Sequence, residues 1–404
     1  LKENEYKNAE GSYLWDSLSG FSDEPVKEVM EDWIKKKGYP YISASYENGK
    51  IRLRQDQFLL DGESEEIWKI PLTVKRSNGT EAMLFSNREM EINGELVKLN
   101  ADSSGFYRVL YDNYLFRAII ENYGKLSALD RWGILNDLFA MLLSGKLNAG
   151  TYATRLSFFI HDDDTYVVSE IVNQLEYIHS ITDKMDSVIR NFVITQEPLL
   201  SGKEDDNSKI AYGRVARLRA QVDESYADQI SDRFQNIENE DAEMRGAIAV
   251  GYAISKGNLQ EMIRKFRSLS KDEDKVKLIY AMGKLHNPSD LETVDGLIER
   301  GEIKKQDIVS FYLSATENRQ GREYVYDKFE KIIGTVLKYF TGSRTPSRTV
   351  ENMLPLLGIE RPEIEERIRS INASALTSGI SKGMEMLGVN RKLYQRIEEE
   401  TKSR

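Results

Sequence analysis

Hydrophobic positions in the first forty residues recur at helical spacing. Leu14, Leu18 and Phe21 form a short apolar face, and a second apolar stripe lies within residues 26–33. The cations of Lys35–Gly38 and the glycine that ends this run are typical of a helix C-terminus, where the helix dipole favours positive charge. The pattern therefore predicts two helices in this region.

Farther along, over residues 41–112, apolar and polar residues alternate with the period of a half-buried strand. Asn48-Gly49 and Asn78-Gly79 are hairpin dipeptides, because both central residues of a tight hairpin turn favour positive φ. Short strand-like runs follow one another at intervals of about 8–12 residues. The pattern predicts a small β-sandwich across this stretch.

From residue 113 onward the spacing is helical again. Trp132, Leu135, Phe139 and Leu142 step by three or four positions and so lie on one helix face. Several helices are predicted to end in a glycine that is followed by an apolar residue of the next helix: Gly145, Gly257 and Gly301. Many short amphipathic helices bury their faces economically as stacked pairs, which predicts an irregular, HEAT-like α-solenoid.

The expected fold class is therefore mainly α with a small β-sandwich. A chain of 404 residues is longer than an ordinary domain of ~100–200 residues, so several domains are expected. We predict three parts, which are a helical segment at 1–40, a β-sandwich domain at 41–112 and an α-helical solenoid at 113–404.

Composition narrows the possible functions. The formal net charge of −10 disfavours a nucleic-acid partner, because an acidic surface repels phosphate. No run approaches the ~20 apolar residues that a membrane helix needs, so no membrane partner is expected. The chain has no cysteine, which excludes disulfides and cysteine-bound metals and fits a reducing, cytoplasmic location. Its histidines, His161, His179 and His286, lie too far apart for the zincin motif H-E-x-x-H.

Short motif matches carry little weight here. The G-x-S-x-G match around Ser381 has helical flanks where a nucleophile elbow needs a strand, and no histidine follows it. The Ser-x-x-Lys match at Ser268–Lys271 is short enough to recur by chance. The acidic clusters 162–164 and 204–206 lack the alternating ligands and the glycine of a calcium loop, so we interpret them as helix caps and solvated loops.

One stretch favours ligand binding more specifically. Thr341–Arg348 is rich in Gly, Ser, Thr and Pro, is predicted to be a loop between helices, and carries Arg344 and Arg348 on an acidic chain. A guanidinium can hold both oxygens of a carboxylate, so these arginines are candidate substrate-binding residues for a group such as a peptide C-terminus. The alternative is a structural ion pair with Glu351 or another neighbour.

A set of short motifs lies in the first third of the chain. They are Tyr13–Leu18, Val26–Trp33, Lys37–Pro40, Gln55–Phe58, Ile67–Thr73, Asn100 with Gly105–Val109, Leu126-Ser127, Asp130-Arg131 and Leu135–Ala140. Together with the order of the predicted parts, these motifs resemble the C-terminal half of the M1 (gluzincin) zinc aminopeptidases. The compact, cysteine-free form is most similar to the archaeal tricorn-interacting aminopeptidases, which are in turn similar to aminopeptidase N.

The resemblance implies a parent enzyme that removes N-terminal residues from peptides with the help of one zinc ion. In the family, two histidines and a glutamate hold the zinc, a second glutamate is the general base, and all of them precede the motif at Tyr13. The resemblance therefore implies no catalytic residue and no metal ligand in this chain, and it leaves open whether the chain alone is an enzyme.

The same resemblance implies a role and partners for the helical part. In the family this part caps the chamber that holds the peptide, and the segment that corresponds to residues 1–40 forms the C-terminal helices of the catalytic domain. The implied partners are peptide substrates, the chain's own N-terminal catalytic half and a larger protease complex such as tricorn.

A second hypothesis is an independent α-solenoid scaffold that binds another protein and has no enzymatic activity. The chain starts at Leu1 without an initiator Met, which favours part of a longer protein over a scaffold. A natural start codon directly before Leu1 would reverse that preference.

Overall fold

In the computed structural model the chain folds as a sheet unit, Leu1–Lys146, and a helical unit, Leu147–Arg404. The described residues are 8, 10–371 and 373–402. The division into three domains stays a prediction.

The sheet unit begins with the expected helices, α1 Gly11–Ser19 and α2 Val26–Lys35. Gly38, shortly after α2, has a φ of +84°, a conformation that suits a glycine beyond a helix end. Among the residues of these helices only Val29 is buried. The apolar face of the first helix is exposed, and that of the second is half-buried or buried.

Short strands fill the middle of the sheet unit and confirm the alternating period. They are β1 Pro40–Glu47, β2 Lys50–Gln57, β3 Ile70–Arg76, β4 Gly79–Phe85, β5 Glu89–Ile92, β6 Lys98–Leu99 and β7 Arg108–Tyr111. One sheet has the order β5-β2-β1-β7 and the other β4-β3-β6; β1 and β7 pair in parallel, and the remaining pairs are antiparallel. Asn48 and Gly49 both have positive φ in the β1–β2 turn, as the hairpin dipeptide predicted.

A buried glutamine joins the two sheets. The Nε2 of Gln55, on β2, donates to the carbonyl oxygens of Trp68 and Asn87 at 2.8 Å each, and its Oε1 accepts from the Trp68 N–H at 2.8 Å. Both polar ends of this fully buried side chain are satisfied, which removes the cost of burying them. Ile42 and Leu72, one from each sheet, are also completely buried.

The sheet unit ends with α3 Asn113–Glu121 and α4 Ala128–Leu143. Asp130 closes a capping box with Ser127 at the start of α4, and its Oδ1 accepts from the Asp102 N–H at 2.7 Å. Its Oδ2 accepts from Lys75 of β3 at 2.5 Å. One buried carboxylate therefore holds α4 against the sheets.

The helical unit consists of helices joined by short turns, as its spacing predicted. They are α5 Ala149–Leu156, α6 Thr165–Ile181, α7 Asp186–Leu200, α8 Asp206–Val222, α9 Glu224–Ser231, α10 Ala242–Ser255, α11 Leu259–Ser268, α12 Asp272–Met282, α13 Pro288–Glu299, α14 Ile308–Glu317, α15 Arg322–Asp327, α16 Phe329–Tyr339, α17 Thr345–Leu357, α18 Ile364–Ser370 and α19 Thr377–Lys402. Gly257 and Gly301 have φ of +58° and +74° and end α10 and α13, which confirms their predicted role.

The last helix of this unit contacts the first ones. Glu400, near the end of α19, accepts from the N–H groups of Ala149 and Gly150 at 3.1 and 3.0 Å, where α5 begins. Tyr177 of α6 donates from its O–H to Asn390 Oδ1 of α19 at 2.7 Å. The sequence pattern did not predict this return of the chain, and a HEAT-like repeat stays a prediction.

Close packing of α17 and α19 explains the G-x-S-x-G match. Ser381 lies inside α19, so the strand-turn-helix geometry of a nucleophile elbow is absent there. A Cβ atom on Gly379 would lie 1.9 Å from the Ser347 carbonyl oxygen of α17, and one on Gly383 would lie 3.1 Å from Leu354. The two glycines therefore let the helices approach each other.

Substituting two glycines of α19 tests this packing. Gly379→Ala should lower the free energy of unfolding by about 2 kcal/mol or more, because the added methyl group meets backbone. Gly388→Ala is the matched control: its Cβ meets open space, and alanine should raise helix stability by about 0.5–1 kcal/mol. Urea denaturation of both variants measures the difference, and equal stability would contradict the packing role.

Candidate functional site

The helical unit encloses a cavity of about 580 Å³, here called the polar pocket. Six helices line it, α6, α8, α12, α14, α17 and α19, and most of its lining side chains are polar or charged. Its charged and strongly polar lining residues are Asn173, Glu176, Tyr177, His179, Arg217, Gln221, Tyr280, Lys284, Glu317, Glu351, Asn352 and Asn390.

Three groups in the pocket form one hydrogen-bonded cluster. Glu317 Oε2 accepts from the Tyr280 O–H at 2.8 Å and from the Lys284 Nζ at 3.1 Å. Burial alone would lower the pKa of Lys284, but Tyr280 and Glu317 outweigh it and raise that pKa. Burial likewise would raise the pKa of Glu317, but Lys284 lowers it on balance. Lys284 and Glu317 are therefore a charged pair at neutral pH.

A second charged cluster lies on α6 and α8. The Arg217 Nη2 is 2.7 Å from Glu176 Oε1, and the Arg214 Nη2 is 3.2 Å from Glu176 Oε2. The Arg217 guanidinium also lies 5.4 Å from the ring centre of Tyr280, which brings the two clusters together. Both clusters pair cations with carboxylates, so this part of the pocket suits a polar ligand.

The pocket offers little for catalysis by itself. Burial raises the pKa of Tyr280 to about 12, so its hydroxyl stays protonated at neutral pH. The Nδ1 of His179 lies 2.8 Å from Asp186 Oδ1, so this ring nitrogen is already paired with a carboxylate. Among the described residues no group of three or more His, Cys, Asp or Glu side chains could hold a metal ion. The arrangement can bind and orient polar groups.

A neighbouring cavity of about 570 Å³ is lined by both acidic and basic residues, among them Arg319 between α14 and α15 and Arg322 at the start of α15. Arg319 Nη1 donates to the His179 carbonyl at 2.7 Å, and Arg322 donates to the Ser180 carbonyl, both at the end of α6. Burial and the adjacent Arg319 lower the pKa of Arg322 to about 10. These two arginines occupy the negative end of α6.

The structure corrects the predicted position of one candidate arginine. Arg344 directly precedes α17, but Arg348 lies in the first turn of that helix and not in a loop, because Pro346 favours a helix start. Both side chains are exposed, and neither lines the polar pocket. Glu351 lies 3.6 Å from Lys382, so among the described residues the suggested ion pair with an arginine is not formed.

The other sequence candidates have structural roles. Asp164 caps α6 and Asp205 caps α8, as expected for the acidic clusters. Ser268 ends α11, and its hydroxyl donates to the Lys265 carbonyl at 2.8 Å. The residues of the polar pocket escaped notice because they come from helices that are far apart in the sequence and carry many other polar side chains. The spacing of Tyr280, near the end of α12, and Lys284, just after it, was the available signal.

Comparison of the sequence with known proteins identifies its family. A family model described as "ERAP1-like C-terminal domain" matches residues 96–385. The chain belongs to this family. Its match begins within the sheet unit, just before β6, and runs into α19. Within the described residues, no helix is both long and apolar enough to cross a membrane.

Similar proteins extend the match to nearly the whole chain. Over 98% of its length it is 38% identical to a tricorn protease-interacting factor F2 of Thermoplasma volcanium and 31% identical to a leucyl aminopeptidase of Saccharolobus solfataricus. Over 99% it is 25% identical to aminopeptidase M1 of Arabidopsis thaliana. The chain spans about half the length of these relatives, 51% in each case. The resemblance to the C-terminal half of M1 aminopeptidases is thereby confirmed.

Removing the carboxylate of the polar pocket tests its charged pair. Glu317→Gln should lower the free energy of unfolding by about 1–2 kcal/mol, since it leaves Lys284 buried without its partner, while the 40% exposure of Glu317 screens part of the loss. The loss should shrink as the pH falls below about 4, because a carboxylate of lowered pKa stabilises the fold only while it is ionised.

Glu323→Gln is the matched control for this substitution. Glu323 pairs with Arg361, and both side chains are about half exposed, so its loss should change stability by less than about 0.5 kcal/mol. Urea denaturation of the two variants at pH 7 and pH 3.5 measures both effects. Equal losses at pH 7 would contradict a special role for the Lys284–Glu317 pair.

Proposed function

We propose that this chain is the capping portion of a zinc aminopeptidase that removes N-terminal residues from peptides. The helical unit would close the chamber over the bound peptide, and the polar pocket would face the peptide chain. The observation that carries the proposal is a large polar cavity assembled within a family whose relatives bear aminopeptidase names. The HEAT-like arrangement of the helices belongs to the same proposal.

The zinc ion would be held outside the described residues. These residues include no cluster of His, Cys, Asp or Glu side chains that fits a metal ion, so no step of the reaction is assigned to them. The residues of this chain would instead bind and orient the substrate and exclude water from the chamber. Catalysis would depend on the N-terminal half of the enzyme, which is the first proposed partner.

Two exposed arginines are proposed to meet the C-terminal side of the peptide. Arg344 and Arg348 lie one helical turn apart at the start of α17, where the helix dipole adds to their positive charge. With no carboxylate partner among the described residues, both guanidinium groups remain available to a substrate carboxylate.

A larger protease complex is a further proposed partner. The relative from Thermoplasma volcanium is named a tricorn protease-interacting factor, and we extend that partner to this chain as a proposal. A cytoplasmic location stays a prediction from the absence of cysteine.

Hydrolysis of a fluorogenic leucyl amide tests where the chemistry lies. We expect no turnover by the purified 404-residue chain, with or without a chelator, because its described residues fit no metal ion. Adding the N-terminal half should produce turnover that the chelator removes. Chelator-sensitive turnover by the 404-residue chain alone would contradict the proposed division of labour.

Substitution of the two arginines in the full-length enzyme tests the capping role. Arg344→Ala and Arg348→Ala should raise KM about 3–10-fold for peptides and leave it unchanged for single-residue amides, which cannot reach the cap. Arg369→Ala is a control, since this arginine is 78% exposed and lies on α18. Equal effects on both kinds of substrate would refute the assignment.

A further inference from the structure

The sheet unit contains a smaller cavity that none of the proposed functions uses. Its volume is about 240 Å³, and it lies between the loop before β7 and one face of α4. We call it the arginine pocket. Its lining residues include three aromatic side chains, one arginine and one carboxylate: Tyr39, Phe106, Trp132, Arg108 and Asp137.

The guanidinium of Arg108 is held in place on one side and open on the other. Its Nε donates to the Tyr39 hydroxyl at 3.1 Å, and its Nη1 donates to Asn136 Oδ1 at 2.7 Å and to Asp137 Oδ1 at 3.3 Å. The group also lies 5.2 Å from the ring centre of Phe58. Nη2 has no hydrogen-bond partner among the described residues, and the Arg108 side chain is 22% exposed. A rigid arginine therefore presents unused N–H donors.

The walls of the pocket are aromatic and accessible. Phe106 is 69% exposed although it is a large apolar side chain, and its ring centre lies 4.9 Å from that of Tyr39. Trp132 of α4 is partly exposed on another side of the cavity. Water-exposed aromatic surface beside a free cation favours a ligand that combines an anionic group with an apolar body.

The backbone that borders the cavity is strained. Asn100, Asp102 and Ser103 have φ of 57°, 51° and 53°, a left-handed conformation that non-glycine residues rarely adopt. Surrounding groups enforce it, since Asn100 Nδ2 donates to the Gly105 and Tyr107 carbonyls at 3.0 and 3.1 Å. Strain of this kind concentrates at functional sites, where it holds a binding surface in shape.

We propose that the arginine pocket binds a small carboxylic acid with an aromatic or apolar body. The ligand carboxylate accepts hydrogen bonds from the Nη2 of Arg108. The apolar body lies against Phe106 and Trp132. This site is independent of the aminopeptidase proposal, because it lies wholly within the sheet unit and requires neither zinc nor a peptide chamber.

Binding should be stronger in mild acid. Burial raises the pKa of Asp137 to about 6, although Arg108 opposes the shift. Above that pH the ionised Asp137 carboxylate competes with the ligand for Arg108 and repels the ligand carboxylate. Below that pH the neutral Asp137 does neither, while the ligand carboxylate remains ionised. Asp137 interacts electrostatically with four titratable or charged groups of the surrounding elements: Arg108, Lys98, Tyr107 and Tyr111.

Tryptophan resonances of the full 404-residue chain test the proposal. The chain has four tryptophans, and Trp132→Phe identifies the indole N–H signal of Trp132. Titration with 3-phenylpropionate should shift that signal with a Kd on the order of 1 mM, as expected for so small a ligand. The affinity should rise about threefold or more between pH 7.5 and pH 5.5.

Two matched probes separate the parts of the ligand. The neutral 3-phenylpropanamide has the same shape and should bind at least about tenfold more weakly, because it lacks the charge that Arg108 recognises. Inorganic phosphate should bind more weakly too, because it has no apolar body. Equal binding of the amide, or absence of any shift with the acid, would overturn the proposal; phosphate binding as strong as that of the acid would overturn the requirement for an apolar body.

Variants of the pocket residues test the proposed binding site independently of the choice of ligand. Arg108→Gln should abolish binding, and Phe106→Ala, at an exposed position that tolerates truncation, should weaken it about threefold or more. Arg369→Gln removes an exposed arginine of the other unit and should leave the affinity unchanged. If Arg108→Gln fails to fold, Phe106→Ala and the comparison of the acid with the amide still test the proposal. An unaltered affinity of Phe106→Ala would refute the role of Phe106 as an aromatic wall of the pocket.

Discussion

The return of α19 to the first helices of the helical unit is the constraint on which the polar pocket depends. The carboxylate of Glu400 satisfies the free N–H groups of Ala149 and Gly150, which otherwise have no partner at the start of α5. The hydrogen bond between Tyr177 and Asn390 joins α19 to α6 as well. With α19 in this position, residues from both ends of the unit line one cavity.

Small residues make that return possible. Gly379 and Gly383 allow α19 to lie so close to α17 that even one methyl group at Gly379 would collide with backbone. Asn390 then donates to the Pro355 carbonyl at 3.0 Å, which also satisfies an oxygen inside the helical unit. Tight packing and buried hydrogen bonds thus act on the same pair of helices, α17 and α19, and together they determine the shape of the pocket.

Asp130 in the sheet unit and Glu317 in the helical unit show how two carboxylates are held by hydrogen bonds. Asp130 accepts from Lys75 and from the Asp102 N–H, and Glu317 accepts from Lys284. Burying such a group without a partner costs far more than the pair contributes. Arg108, Arg344 and Arg348 differ, because each retains N–H donors without a partner among the described residues. These unused donors mark the surfaces where ligands are proposed.

The sequence by itself determined the elements of this protein. Alternation and two Asn-Gly dipeptides predicted the strands and hairpins, and helical spacing with terminal glycines predicted the helices. These features are local, because the period of a strand or helix and the positive φ of a turn depend on residues a few positions apart. The motifs of the sheet unit also indicated the protein family, and the family model and the relatives confirmed it.

Only the tertiary structure decided which residues share a site. Tyr177 and Asn390 meet although they lie 213 positions apart, and no local pattern specifies such a contact. The helix-packing role of Gly379 and the partner-free Nη2 of Arg108 could not be predicted from the sequence either. Each depends on which surfaces meet after folding, and that is set by packing among many helices and strands at once.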